Sequence, residues 1–402
     1  MEWKEVRLGD IVSIKSGLAY KGAFIGKGEN IMLGMGCVSF KDKFLFSGAR
    51  PYEADCDDKY CVEPGDIVLA TRQQSDNLPI LAMPAIIPSS LKAQKIIYGT
   101  NLYKVENHSE VTNDFLFWQL KTPDYIDYIS SVKTGSVVRM VTKKNVEDYV
   151  FRCPPKEVRD RISKILWGLD RKIELNNKIN ADLEGMAQAV FKNWFVDFEP
   201  FKDGKFVDSE LGMIPEGWKV VVFDNILKVT TTKTGKEGIP EYSVTNTGIH
   251  PRDEKFTKNL SKSSAKNKLI RKGNLVFGMS REILNWGIMK EEVGGVSSAY
   301  NVYIVDEKIV NTTYLECFIA QRMDYFADLI KPASREGQGV DKALLMKKII
   351  CIPPSEVMDV FLEKYNSIIH LTEIRNQESS RLSLLRDTLL PRLMSGEIEI
   401  PE

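Results

Sequence analysis

The stretch ATRQQSDN, residues 70–77, puts Arg72, Gln73, Gln74 and Asn77 on a turn after the strand-like run GDIVLATR. An Arg side chain pairs with the guanine edge through two hydrogen bonds, and Gln or Asn does the same for adenine. This residue set is therefore the kind that reads bases in a major groove. SREILNWG (280–287) offers Arg281, Asn285 and Trp286 after a second such run, GNLVFGMS. Two further turn-like stretches carry cations and amides. They are SVVRMVTKKN (136–145), with Arg139, Lys143 and Lys144, and SREGQGVDK (334–342), with Gln338. Lys143, Lys144, Lys266, Lys268 and Lys272 are expected to meet phosphates, contacts that position a protein on a duplex without reading its sequence. For each of these residues the plain alternative is a solvated surface.

Bond-making chemistry is poorly supplied. The two Pro-Pro pairs, in RCPPKE and CIPPSE, lack the aromatic residue that an Asn/Asp-Pro-Pro-aromatic methyltransferase pocket needs. No GxGxxG follows a strand, no HExxH exists, and KTGKEG (233–238) lacks the spacing of a phosphate loop. SGLAYKGAFIGKGEN (16–30) is Gly-rich but fits neither phosphate motif and reads as turns. The three histidines, His108, His250 and His370, read as incidental. Cys37, Cys56, Cys61, Cys153, Cys317 and Cys351 form no CxxC pair. They read as buried small hydrophobes, with no zinc site and no disulfide framework. No catalytic and no metal-binding residue is assigned, and no cofactor is expected on this chain.

The 402 residues carry 55 basic and 55 acidic side chains, a balance that speaks mildly against nucleic acid. Charge is local, however. Positions 255–290 hold nine Lys/Arg against one acid, and 133–161 hold eight against four. The opening MEWKEVRLGD is too charged for a signal peptide, and no apolar run spans a bilayer, so a cytoplasmic protein without membrane contact is expected.

Those basic stretches fall one in each half, and the halves are related. CPPKEVRDRI (153–162) answers IPPSEVMDVF (352–361), GDIVLATR answers GNLVFGMS, TNLYKV (100–105) answers YNVYIV (300–305), and DYIDYI (124–129) answers DYFADL (324–329). WKEVRLGDIVSI from Trp3 answers WKVVVFDNILKV from Trp218. The period far exceeds that of a solenoid, so a whole domain is duplicated.

Each copy divides in two. Residues 1–153 and 212–352 are rich in short β-type runs with two amphipathic segments, an α+β pattern of mixed sheet and short helices. Residues 154–200 and 353–402 have helical period. In the first, Val158, Ile162, Ile165, Leu169, Lys172, Asn176, Ile179, Leu183, Met186 and Val190 follow coiled-coil spacing. In the second, Val357, Phe361, Lys364, Ile368, Leu371, Arg375, Glu378, Leu382, Leu385 and Leu389 do so with more polar interruptions. An amphipathic helix of this length cannot bury its stripe alone. The expected architecture is two duplicated heads separated by two long helices that pair as an antiparallel coiled coil with pseudo-two-fold symmetry. The aromatic stretch NWFVDFEPFKDGKF (193–206) reads as a packing or subunit-docking segment.

ELGMIPEGWKV (210–220), LLPRLMSGEI (389–398) and the twin Pro-Pro-plus-helix segments give the whole chain a resemblance to the specificity subunit of type I restriction-modification systems. The resemblance implies two target-recognition domains that read the two halves of a bipartite, asymmetric double-stranded DNA sequence. It implies long helices that separate the heads, two methyltransferase subunits docked on helices and heads, and a motor-nuclease subunit that joins to form the restriction complex. ATP, magnesium and S-adenosylmethionine then belong to the partners. The rival readings are a duplicated coiled-coil scaffold that binds no DNA, which the basic run 255–290 opposes, and a fused methyltransferase fragment, which the missing catalytic motif opposes.

Overall fold

The computed structural model describes residues 3–74, 79–252, 263–280, 282–330 and 340–398. The chain forms two compact units. The first comprises residues 1–177 with 376–402, and the second residues 178–375.

Unit 1 is built on a four-stranded antiparallel sheet in the order Val12–Ser16, Leu102–Asn107, Ile67–Ala70, Pro84–Ile86. Ile67–Ala70 is buried throughout, because the helix Asn113–Gln119 covers one face and a second sheet the other. That second sheet orders Ala49–Tyr52, Ile25–Leu33, Ile96–Tyr98, with the last pair parallel. The Gly-rich segment 16–30 is thus only partly turns; from Ile25 it is strand, bulged between Ile25 and Asn30. Gly28, with φ +90°, sits where an added Cβ would meet the backbone of Glu53 at 2.5 Å. The glycines here serve close strand approach.

Unit 2 repeats the frame. Its antiparallel sheet has the order Leu227–Thr230, Asn301–Val305, Leu275–Phe277, Trp286–Ile288. A flanking ladder pairs Lys219–Val222 with Ile349–Ile352, as Lys4–Arg7 pairs with Val150–Cys153 in unit 1. The register refines the repeat. Val105 faces both Ile14 and Ile67. The residue that faces the counterparts of those two, Val229 and Leu275, is Tyr303. TNLYKV and YNVYIV are therefore equivalent strands aligned two residues out of register. A pleat of period two makes that slip invisible in the sequence, since it keeps every side chain on its face. Outside the frame the units differ. Unit 2 has a hairpin, Tyr242–Thr245 with Gly248–Pro251, and a ladder of Lys268–Arg271 with Val293–Val296.

The helices Lys156–Phe195 and Ser355–Ser395 each contribute to both units. Within unit 1, Asp170 meets Arg386 and Asn176 meets Glu378, so the two helices run in opposite directions. Ile162 and Leu166 are fully buried there in one cluster with Leu390, Leu393 and Met394. Trp167 packs at 5.3 Å against both Phe117 and Trp118 of its own head. Within unit 2, Phe191 and Phe195 close on Phe361 at 5.8 and 4.8 Å.

The seam departs from strict heptads. Leu166, Asp170, Ala187 and Phe191 are buried, while Met186 is exposed; in the second helix Arg386 and Leu390 are buried, while Leu371 and Leu385 are exposed. A straight helix drifts about 20° per heptad against a 3.5-residue repeat, and the heads compete for the same stripe. The aromatic stretch after the first helix is packing: Phe195, Phe198 and Phe201 each contact the Trp218 ring at 5.2–5.7 Å. Cys37, Cys153 and Cys351 are buried, as expected. Cys56, Cys61 and Cys317 are only half-buried: the first two flank the turn Asp58–Tyr60, and Cys317 lies on the flank of the helix Thr312–Gln321. Among the described residues no helix is long and apolar enough to cross a membrane.

Candidate nucleic-acid interface

In unit 1 the strand Arg72–Gln73 continues the buried run Ile67–Ala70 outward and pairs antiparallel with Arg139–Met140. Sequence positions 66 and 68 residues apart are thereby brought side by side. The alternation of a strand then sorts the candidates. Arg72 and Gln74 are exposed, whereas Gln73 between them points inward, 6% exposed, and its Oε1 accepts the Leu81 backbone N–H at 3.2 Å. Gln73 closes the base of a loop and is not available to a base edge.

Lys143 and Lys144 open the short helix Lys143–Glu147, where the Thr142 hydroxyl accepts the Asn145 N–H at 3.2 Å. Three bonds hold this helix in place. Glu147 Oε1 accepts the Ile14 N–H at 2.9 Å, Arg7 donates to the adjacent Asp148 at 2.6 Å, and Asn145 Nδ2 donates to Val132 O at 3.0 Å. Buried Val146 anchors it from beneath. Both lysines remain exposed, and half-buried Arg139 donates to Gly135 O at 2.5 Å.

In unit 2, Lys266 is exposed at the end of the turn Ser264–Lys266. Asn267 beside it is buried, with Nδ2 donating to Glu241 at 2.8 Å. Lys268 is half-buried and donates to Tyr300 O at 2.5 Å. Burial, and then the nearby charge of Lys342, lower its pKa. Burial raises the Tyr300 pKa, and Arg252 opposes that rise. Lys268 therefore sits against Tyr300, with the charge of Lys342 near Lys268 and that of Arg252 near Tyr300. Lys272 lies apart, 3.4 Å from Glu292 on the rim of a cleft of about 810 Å³ that also holds Asp224, Asp306 and Glu307. Lys228 and Lys308 line the same cleft, and the exposed pair with Glu292 is a weak surface ion pair.

Residues 1–185 match the family model for the type I restriction modification DNA specificity domain. The chain is 28% identical to the type I restriction enzyme MjaIX specificity subunit of Methanocaldococcus jannaschii, over 73% of its length and 70% of that protein. It is 24% identical to the HindI specificity subunit of Haemophilus influenzae, over 99% of its length and all of that protein. Along its length the chain is thus similar to specificity subunits of type I restriction-modification systems. Its fold agrees with that family. A crystal structure of the type I restriction-modification S subunit from M. genitalium superposes with TM-score 0.52 at 11% identity, covering 100% of this chain and 97% of that one. A chain from a structure of type I complex assembly and conformational transition gives 0.51 at 15% identity, covering 99% and 98%.

Two other candidates are structural. Trp286, 8% exposed, sits in the unit 2 core opposite Phe277. Asn285 donates from Nδ2 to Met279 O at 2.6 Å and from its backbone to Ser280 Oγ at 2.9 Å, closing the turn 279–285. A strand that enters a core turns its aromatic inward whatever the loop before it does. Asn77, Arg281 and Gln338 lie outside the described residues. Sequence reasoning missed Arg252 and Tyr300, which carry no motif, and took Lys342 only as the end of SREGQGVDK. Among the described residues, no three His, Cys, Asp or Glu side chains gather as a metal site requires.

Proposed function

We propose that the chain reads a bipartite, asymmetric DNA target, one half-site per head, within a complex that also holds two methyltransferase subunits and, for cleavage, motor-nuclease subunits. One observation carries this reading. The same strand order is built twice, and beside each copy stands a different set of cations: Arg72, Arg139, Lys143 and Lys144 in one, Arg252, Lys266, Lys268 and Lys342 in the other. A frame kept with its reading edge changed suits two unlike half-sites. The heads span 1–153 and 212–352, and the helical segments 154–200 and 353–402.

Leu175, Leu384 and Leu385 in unit 1, and Met186, Leu371 and Ile374 in unit 2, are exposed apolar positions on the long helices. Apolar groups left on a surface suit obligate partners, and the methyltransferase subunits are the occupants we assign. The complex works in the cytoplasm, where the chromosome is.

The deciding experiment maps methylated adenines in the source genome, then repeats the map after either head is exchanged for that of a relative. Exchange of residues 1–153 should replace one half of the methylated motif and leave the other unchanged. A motif altered in both halves, or in neither, would refute the assignment of one half-site to each head.

A further inference from the structure

We propose that Val137, in the first head, reads a thymine through its 5-methyl group in the major groove. The proposal rests on the DNA-reading role above and adds a residue and a base to it. Val137 is 82% exposed, the most exposed large hydrophobic side chain among the described residues. It stands at the tip of a narrow ribbon-like loop closed by a single isolated β-bridge between Thr134 and Met140. Thr134 and Met140 exchange backbone hydrogen bonds, both of 2.9 Å. Gly135 has φ +91°, and a Cβ there would lie 2.1 Å from Val138 O, so the turn admits only glycine. Arg139 ties back to Gly135 O at 2.5 Å. The ribbon joins the head through the pairing of Arg139–Met140 with Arg72–Gln73. Val137 is thus presented beyond a loop base that these bonds fix, with a β-branched side chain that has little rotamer freedom to lose.

Charge identifies the occupant. Residues 131–146 contain Lys133, Arg139, Lys143 and Lys144 and no Asp or Glu. Val138 and Met140 beside it are also exposed, at 36% and 41%, but Val137 projects furthest, and an apolar tip among cations fits a polyanion that offers a small apolar group between its phosphates. Duplex DNA offers that group as the thymine methyl, which lies on the major-groove edge. The major groove, about 12 Å wide, admits a two-stranded ribbon, while the minor groove, about 6 Å wide, does not.

The test uses the full chain assembled with methyltransferase subunits, and duplexes that carry the methylated motif mapped in the source genome. Each thymine of the first half-site is replaced in turn by uracil, which removes only the methyl group. One position should weaken binding roughly 3- to 5-fold, the effect of one buried methyl. Val137→Ala should bind the thymine and uracil duplexes equally at that position. Val137→Thr, which keeps one methyl at Cγ2, should restore part of the difference. A complex that discriminates target from scrambled duplex but shows no uracil effect overturns the proposal and leaves the DNA-reading role intact. So does a uracil effect that persists undiminished in Val137→Ala, or a first half-site without thymine. A complex that does not discriminate at all overturns both.

Discussion

Arg386 donates to Asp170 at 2.7 Å across the two long helices, and each side chain is about nine-tenths buried. Lys43 stands 3.7 Å from the same carboxylate, and Arg386 also reaches Asp387 at 2.9 Å. A buried ion pair contributes little net stability, but leaving one charge without its partner is costly. Asp170→Ala should therefore destabilise the subunit by about 2–4 kcal/mol, the lower part of the range reflecting the help of Asp387. Replacing both residues, as Asp170→Leu with Arg386→Leu, should recover most of the loss. Urea denaturation of wild type, Asp170→Ala and the double variant measures this, and a double variant no better than Asp170→Ala would contradict it.

Lys121 predicts a pH dependence. Its Nζ donates to Phe40 O at 3.2 Å and Asp42 O at 3.0 Å and lies 5.1 Å from the Phe117 ring. Burial, and then the charge of Arg386, push its pKa down from 10.5 to about 8. Between those values the unfolded chain holds more protons on this group, so its contribution to stability rises with pH. The penalty is present in full below pH 8 and is relieved towards pH 10. Cys37, whose thiol burial pushes up to about 12, acts in the opposite sense above its ordinary value of 9.0. The informative quantity is thus the difference between wild type and Lys121→Met. Wild type should gain relative to the variant from pH 7 to pH 9.5, and a constant difference would exclude the depressed ammonium.

The exposed cations of the first head should separate by role. Arg72→Ala should cost about 1–3 kcal/mol of discrimination at the first half-site only. Lys143→Ala and Lys144→Ala should weaken binding evenly across sequences and lower the salt slope by about one each. Gln73→Ala should instead lower the melting temperature, because it releases the Leu81 N–H. Binding measured against sequence and salt distinguishes these outcomes; a sequence-specific effect of Lys143→Ala would reverse its assignment.

The duplication makes a half-length chain informative. Residues 1–205 retain the first helix but lose Leu390, Leu393 and Met394, which cover Ile162 and Leu166. A second copy of that helix is the available cover, and the fragment should dimerise and, with methyltransferase subunits, read a palindrome of the first half-site. Asn176 would then lose Glu378, to which it donates at 2.8 Å, so the dimer should be weaker than the intact pairing. Sedimentation and a methylation map test both parts. A monomer, or retention of the asymmetric motif, would count against interchangeable halves.

Local pattern was enough for the duplication, the Pro-Pro helix starts, the two long helices and the want of catalytic motifs. Each depends on residue order over short spans, and periods of two and 3.6 are written directly in that order. Side-chain direction at the reading edge was beyond its reach. RQQ is three polar letters in the chain, and only the pairing of Arg72–Gln73 with Arg139–Met140 turns Arg72 outward and Gln73 in. Asn285 and Trp286 look like base readers until the core claims one and the turn the other. The placement of Lys268 against Tyr300, with Lys342 near the first and Arg252 near the second, spans about ninety positions and has no local signature. The helix seam shifted because Trp167 was drawn to Phe117 and Trp118 of its own head while Arg386 took a seam position opposite Asp170. A hydrophobic stripe says that a face must be covered; which face covers it depends on the packing of chain segments far apart in sequence, and that is settled only when the tertiary structure forms.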